Sequence, residues 1–331
     1  MVSLPNFFSI KEQLKENPAA FESIALQIFA YQYLNNPVYH RFCQLLAKHP
    51  GNVLHTADIP YLPIHLFKSQ EICCFEPVWA ERIYTSSATG GTPSRHFVRK
   101  YSDYYFSFSE AFRLFYGHPS EYCILALLPS YLDRDGSSLI EMVDVLIKES
   151  GHAHSGFYLK NTRELIENID RVKRTGQKIL LIGVSFALLD LAEQGPFGWE
   201  GVCVMETGGM KGRRKEITRR ELHDILNRSF NTQQIHSEYG MTELLSQAYS
   251  SGDGFFFCPP WMRISIREAN DPFSPAEMGK TGGINVIDLA NIESCSFIAT
   301  QDLGKIHENG GFEVVGRFDH SDVRGCNLMV E

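Results

Sequence analysis

The sequence has no run of 18 or more consecutive apolar residues, and so offers no membrane-spanning helix. Basic residues are scarce: 31 Lys and Arg stand against 39 Asp and Glu, a formal charge of −8 that argues against a general nucleic-acid binder. Cysteine occurs at 43, 73, 74, 123, 203, 258, 295 and 326, without the spacing of a disulfide framework. These thiols read as reduced, and the protein as cytoplasmic. Neither Cys73-Cys74 nor His152 with His154 has the CxxC or HxxxH spacing of a zinc site. The N-terminus, MVSLPNFFSIKEQLKENP, puts Lys and Glu where a signal peptide needs its apolar stretch. No internal repeat or low-complexity segment is evident.

What is present is globular material. The composition is 44% hydrophobic and 21% charged over 331 residues, enough for a large core and, at about 150 residues each, for two domains. Phe21, Ile24, Ala25, Ile28 and Phe29 recur at helical spacing, and Asn35-Asn36-Pro37 breaks that run. From residue 120 the pattern alternates. Tyr122–Leu128 and Lys178–Val184 are short continuous apolar runs expected as strands covered on both faces, and Val202–Met205 is a third strand. Helices are expected over Ser137–Lys148, Thr162–Lys173, Phe186–Glu193 and Thr218–Phe230, the last opened by a Thr cap with Glu221 three residues on. Beyond residue 255, Met262–Ile266, Gly283–Asp288, Ser296–Thr300 and Phe312–Val315 read as strands between Gly, Pro and Asn turns. The fold class is therefore α/β, a mainly parallel sheet with flanking helices and a β-rich closing region, and ligands are expected at the carboxyl ends of the strands. The expected division is a helical region over 1–80 packed on the main body, an α/β core over 81–250, a β-rich part of the same body over 251–316, and a tail over 317–331.

Three segments could carry chemistry. Tyr84-Thr85-Ser86-Ser87-Ala88-Thr89-Gly90-Gly91-Thr92-Pro93-Ser94 follows an expected strand and combines hydroxyls with glycines, whose bare backbone lets N–H groups approach phosphate oxygens. It equally fits a polar surface turn, and no Lys follows the glycines as in a Walker A loop. Glu238-Tyr239-Gly240-Met241-Thr242-Glu243 offers a ring for base stacking, a hydroxyl for phosphate and a carboxylate for a metal, although each residue alone also fits a structural role. Asp302 and Arg317 could hold ribose and phosphate oxygens, or simply pair in a turn. The near-Walker string at 274–281 begins with Ser and carries a Pro, and is expected as a turn. Lys211, Arg213, Arg214, Lys215, Arg219 and Arg220 form a basic cluster, which reads as a solvated face or as a dock for an acidic partner or phosphates.

In this order the segments resemble the adenylate-forming superfamily of acyl-CoA synthetases, adenylation domains and luciferases. A narrower resemblance is to the LuxE-type acyl-protein synthetases. It rests on Leu128-Pro129-Ser130-Tyr131-Leu132 running into Gly136-Ser137-Ser138-Leu139, on Thr207-Gly208-Gly209-Met210-Lys211-Gly212, and on the ending Arg324-Gly325-Cys326-Asn327-Leu328. The resemblance implies ATP-dependent activation of a carboxylic, fatty acid to acyl-AMP, with Mg²⁺, and transfer to an enzyme cysteine as a thioester for an acyl reductase partner. It implies that Thr85, Ser86, Ser87, Thr89, Gly90, Gly91 and Thr92 hold the triphosphate, and that Gly208 and Gly209 lie along the adenine with Tyr239 on its face. Thr242 would touch the α-phosphate, Glu243 would bind Mg²⁺, Asp302 would take the ribose hydroxyls and Arg317 would sit by ribose and phosphate. Cys326 would accept the acyl group. Acyl-binding segments are expected around 130–140 and 205–210.

Two departures from the superfamily stand out. The loop's closing Lys is replaced by Ser94, with Arg95 next, and the sequence stops 12 residues after Asp319, so the resemblance implies no C-terminal lid and no lid lysine. A carboxylate–CoA ligase resembling phenylacetate–CoA ligases, or a non-catalytic nucleotide or acyl-adenylate binder, also fits these residues.

Overall fold

Asn6 and Asn36 decide where the first helices begin. Helices α1 (Phe7–Glu16), α2 (Phe21–Asn35) and α3 (Pro37–Leu45) open the chain. The Asn6 side chain accepts from Ser9 N at 2.9 Å and that of Asn36 from Tyr39 N at 3.0 Å, and Pro37 stands at the first position of α3. The break expected at Asn35-Asn36-Pro37 is thus a cap as well as an interruption. The computed structural model describes residues 6–87, 91–129, 136–208 and 217–318.

A two-residue strand β1 (Leu62–Pro63) and the hairpin of β2 (Arg82–Thr85) and β3 (Arg95–Val98) lead into helix α4 (Tyr101–Tyr116). Next come β4 (Tyr122–Leu127), α5 (Ser138–Ser150), β5 (Gly156–Phe157), α6 (Thr162–Lys173), β6 (Lys178–Val184), α7 (Ser185–Ala192), β7 (Cys203–Thr207), α8 (Arg219–Phe230), β8 (Ile235–Tyr239) and β9 (Ala248–Ser250). These strands form one sheet in the order β5-β4-β6-β7-β8-β9, parallel except for β9. All six residues of β4 and six of the seven in β6 are buried, which is why the central strands read as unbroken apolar runs. The Thr218 hydroxyl accepts from Glu221 N at 3.2 Å and starts α8 as expected.

The second sheet is a meander of β10 (Met262–Arg267), β11 (Gly282–Asp288), β12 (Phe297–Ile306) and β13 (Phe312–Arg317). The strand expected at Ser296–Thr300 continues to Ile306, because β1 pairs with its start and β13 with its later half. The N-terminal helices lie against this sheet: the rings of Phe29 and Tyr39 meet that of Phe297 at 6.3 and 6.0 Å. Buried Gln32 of α2 donates to the carbonyls of Asn291 and Ile292 at 3.0 and 2.8 Å, and accepts from Ser296 N at 3.0 Å. No helix among the described residues is long and apolar enough to cross a membrane.

Candidate active site

Strand register brings the motif segments to one end of the parallel sheet. Thr207 of β7 lies opposite Glu238 of β8, so the two chains leave the sheet side by side as Gly208 and Gly240. Gly208 has φ +69°, a turn that favours glycine, and its carbonyl accepts from the Ser185 hydroxyl at 2.6 Å. A Cβ on Gly240 would stand 2.4 Å from Glu238 Oε1, so only glycine lets that carboxyl lie beneath the backbone.

Tyr239, the last residue of β8, is buried against the rings of Phe256 and Phe312 at 5.8 and 5.4 Å, and its hydroxyl donates to Asp302 Oδ2 at 3.0 Å. Asp302 and Arg317 are register partners on β12 and β13, and Arg317 Nε meets Asp302 Oδ1 at 3.0 Å. The Thr300 hydroxyl fixes Asp302 by accepting from its N–H at 3.1 Å, while donating to the Ile284 carbonyl at 2.9 Å. The carboxylate is sunk in the sheet, whereas the guanidinium, 72% exposed, reaches the rim.

Glu243 sits in the same group. Burial pushes its carboxyl up; the facing Ser94 and Arg317 oppose that rise, and Asp302 adds to it. The Ser94 hydroxyl is itself buried and closes no well-formed hydrogen bond. The segment from Gly240 to Gln247 belongs to no helix or strand, and side chains from other elements hold it. The Thr242 carbonyl accepts from His96 Nδ1 at 2.8 Å and the Glu243 carbonyl from Asn291 Nδ2 at 2.9 Å. Asp288 accepts from the N–H groups of Leu245 and Ser246 at 2.8 and 3.0 Å and from the Ser246 hydroxyl at 2.6 Å.

The hydroxyl loop hangs from the β2–β3 hairpin. Thr85 N donates to the Gly136 carbonyl at 2.7 Å, Ser86 N to the Ser94 carbonyl at 3.2 Å, and Ser94 N returns to the Ser86 hydroxyl at 2.9 Å. Ser87, Gly91 and Thr92 are exposed beyond this closure. Arg95 does not stand in for the loop lysine: it alternates to the other face of β3 from Ser94 and His96, pairing with Glu71 at 3.6 Å and lying over the Phe97 ring. Thr89, Gly90, Gly209 and Cys326 lie outside the described residues, as do 130–135 of the expected acyl segments and 211–216 of the basic cluster. Arg219 of that cluster is not on a solvated face. It pairs with buried Glu206 at 3.0 Å and donates to the Val314 carbonyl of β13 at 3.0 Å.

Two buried glutamates near the strand ends differ sharply. Burial pushes Glu206 up, but His223 and Arg219 outweigh it and hold the carboxyl below its ordinary value. Burial also pushes Glu238 up, to about 7, and neighbouring Glu206 adds to the rise against a single Thr207 hydroxyl at 2.5 Å. All seven described cysteines are free, and burial raises the pKa of every one of them. Among the described residues no cluster of three or more His, Cys, Asp or Glu could hold a metal by itself. A cavity of about 320 Å³ opens elsewhere, at the amino ends of the strands beside Tyr122, Cys203 and His236, and no motif residue lines it.

A family model described as Acyl-protein synthetase, LuxE matches residues 5–129. Two relatives named long-chain-fatty-acid–luciferin-component ligase are similar along nearly the whole chain. The Vibrio harveyi protein is 24% identical over 96% of this chain and 89% of its own length. The Aliivibrio fischeri protein is 23% identical over 98% and 90%. The chain resembles the LuxE-type acyl-protein synthetases. The LuxE-like chain also has the fold of solved adenylate-forming ligases. An open conformation of 2-hydroxyisobutyryl-CoA ligase with 2-HIB-AMP and CoA superposes with a TM-score of 0.69 at 12% identity, covering 92% of this chain and 71% of that one. ATP-bound MatB from Rhodopseudomonas palustris gives 0.54 at 16% identity, covering 71% of this chain and 47% of that one. The α/β class expected from the sequence is thus borne out, in the fold of these ligases.

His96, Asn291 and Asp288 are the functional candidates that sequence reading passed over. The one visible signal was Asp288, an acid at the end of a buried strand and directly before a turn.

Proposed function

We propose that the protein activates a carboxylic acid with ATP and passes the acyl group to its own Cys326. The observation that carries this reading is the line Tyr239–Asp302–Arg317 beside Glu243, at the carboxyl ends of the strands and next to the hydroxyl loop. In this reading the loop from Thr85 to Thr92 takes the triphosphate, Gly208 and Gly209 border the adenine, Tyr239 forms its shelf, and Asp302 accepts from the ribose hydroxyls. Arg317, at the rim, and Thr242 meet the α-phosphate. Glu243 fits a divalent cation, because among the described residues its buried carboxyl forms no ion pair, and Arg317, which faces it, is already bonded to Asp302. Glu243 would hold Mg²⁺ with phosphate oxygens completing its shell, and the ion would supply positive charge to the crowded anions.

A carboxylate oxygen of the acid attacks the α-phosphorus, the bond to the β-phosphate oxygen breaks, and pyrophosphate leaves acyl-AMP behind. Donors aimed at the phosphate stabilise the charge that gathers there. The Cys326 thiolate then attacks the acyl carbonyl, AMP departs, and a thioester remains for an acyl reductase partner. Cys326 suits this role because burial disfavours the thiolate at each of the seven described cysteines. The luciferin-component relatives are named for long-chain fatty acids, and a fatty acid is the proposed substrate here.

Acid-dependent ATP–pyrophosphate exchange, screened over acids of graded chain length, tests the first step. Cys326→Ser is expected to keep the exchange and to lose acyl label that survives denaturation. Label retained on that variant would remove Cys326 from the scheme, and thioester released into solution with no protein-bound acyl group would favour coenzyme A as the acceptor.

A further inference from the structure

The two halves of the proposed nucleotide site belong to different parts of the chain. The hydroxyl loop is carried by the β2–β3 hairpin, and Thr242–Glu243 by the irregular segment after β8. The side chain of His96 links one to the other. Fully buried His96 on β3 donates from Nδ1 to the Thr242 carbonyl at 2.8 Å, and its Nε2 lies 3.0 Å from Asn291 Oδ1. Asn291 in turn donates to the carbonyls of Glu243 and Cys295, both at 2.9 Å. The ring of Phe67 meets the imidazole edge-on at 5.9 Å and fixes its plane.

Resting on the functional reading above, we propose that His96 is a positioning residue that ties the triphosphate loop to Thr242 and Glu243. The path is short and stiff. Ser86 and Ser94 close the mouth of the loop with two hydrogen bonds, Ser94 just before β3 and His96 within it are both buried with exposed Arg95 between them, Ser94 faces Glu243, and His96 holds the Thr242 carbonyl. A contact that shifts Ser86 or Ser94 is therefore passed on to Thr242 and Glu243 through Ser94 and His96. Burial pushes the pKa of the ring down to about 4, while the two oxygens it faces, on Thr242 and Asn291, pull it the other way. The segment it holds has no ladder of its own, so a lost contact there is not replaced.

The test compares two amide replacements in the full chain. In His96→Asn the side-chain nitrogen stands where Nδ1 was and can still donate to Thr242; in His96→Gln it stands where Nε2 was and reaches only toward Asn291. Both keep a buried amide, so their urea midpoints are expected to agree. In pyrophosphate exchange, His96→Gln is expected to lose on the order of 10²-fold in kcat, the scale of a misplaced reacting group, with a raised KM for MgATP and an unchanged KM for the acid. His96→Asn is expected to recover most of that loss. Equal kcat and KM in the two variants would overturn the positioning role while leaving acid activation intact. Absence of exchange in the unaltered protein would instead overturn the functional reading, and this inference with it.

Discussion

Glu238 is a carboxyl group held against its chemistry. A free glutamate titrates near 4.5, whereas burial beside Glu206 pushes this one to about 7. Between those values Glu238 keeps a proton in the folded chain that it releases in the unfolded chain, so its contribution to stability falls as pH rises from 4.5 through 7 and then levels off. Glu238→Gln removes the titration while leaving a carbonyl to accept from Thr207. The variant is expected to match the parent near pH 4 and to exceed it at pH 8 by on the order of 3 kcal/mol, read from urea unfolding at the two pH values. A difference between variant and parent that stays flat between pH 5 and 8 would place the proton elsewhere. The same residue shows what the sequence could convey. Glu238 was visible as part of a motif string, but its place under Gly240 depends on a glycine with no Cβ and on Thr207 in the neighbouring strand.

At the scale of elements, the legible parts were those whose periodicity reflects burial. Thr162–Lys173 and Lys178–Val184 begin and end as expected, because one has a single apolar stripe and the other is covered on both faces. Helix α4 went unread. Its YSDYYFSFSEAFRLFY is built of aromatics and serines with poor helix propensity, and only packing of Tyr104, Phe108, Ala111 and Phe112 selects the helix. Strand β8 (IHSEY) hid for the opposite reason: its polar residues are buried because bonded partners satisfy them. The supports of the Thr242–Glu243 segment were beyond any local pattern, since His96 lies 146 residues from Thr242 and Asn291 lies 48 from Glu243. Asp288, at the end of β11, takes three bonds from residues 245 and 246 and a fourth from Ala290 N at 3.1 Å. Asp288→Ala strands those donors in the interior. A loss of about 3 kcal/mol or more is expected in urea unfolding, with pyrophosphate exchange abolished even where the variant remains folded.

Across the whole molecule, the N-terminal helices are coupled to the site by one turn. Gln32 of α2 grips the backbone from Asn291 to Ser296, and Asn291 supports Glu243. Gln32→Leu keeps the volume but leaves Ser296 N without its acceptor and takes the amide donor from the carbonyls of Asn291 and Ile292. A decrease of about 2–4 kcal/mol is expected in urea unfolding, together with a raised KM for MgATP although no part of α2 touches the nucleotide in the proposed pose. The seven sequestered sulfurs have a practical corollary. Alkylation proceeds through the ionised form, and a thiol held at about 12 reacts at pH 8 roughly a thousandfold more slowly than one at its ordinary value. A pulse of iodoacetamide therefore marks those sites only in molecules that have opened, and the protein carries a built-in clock for its own unfolding.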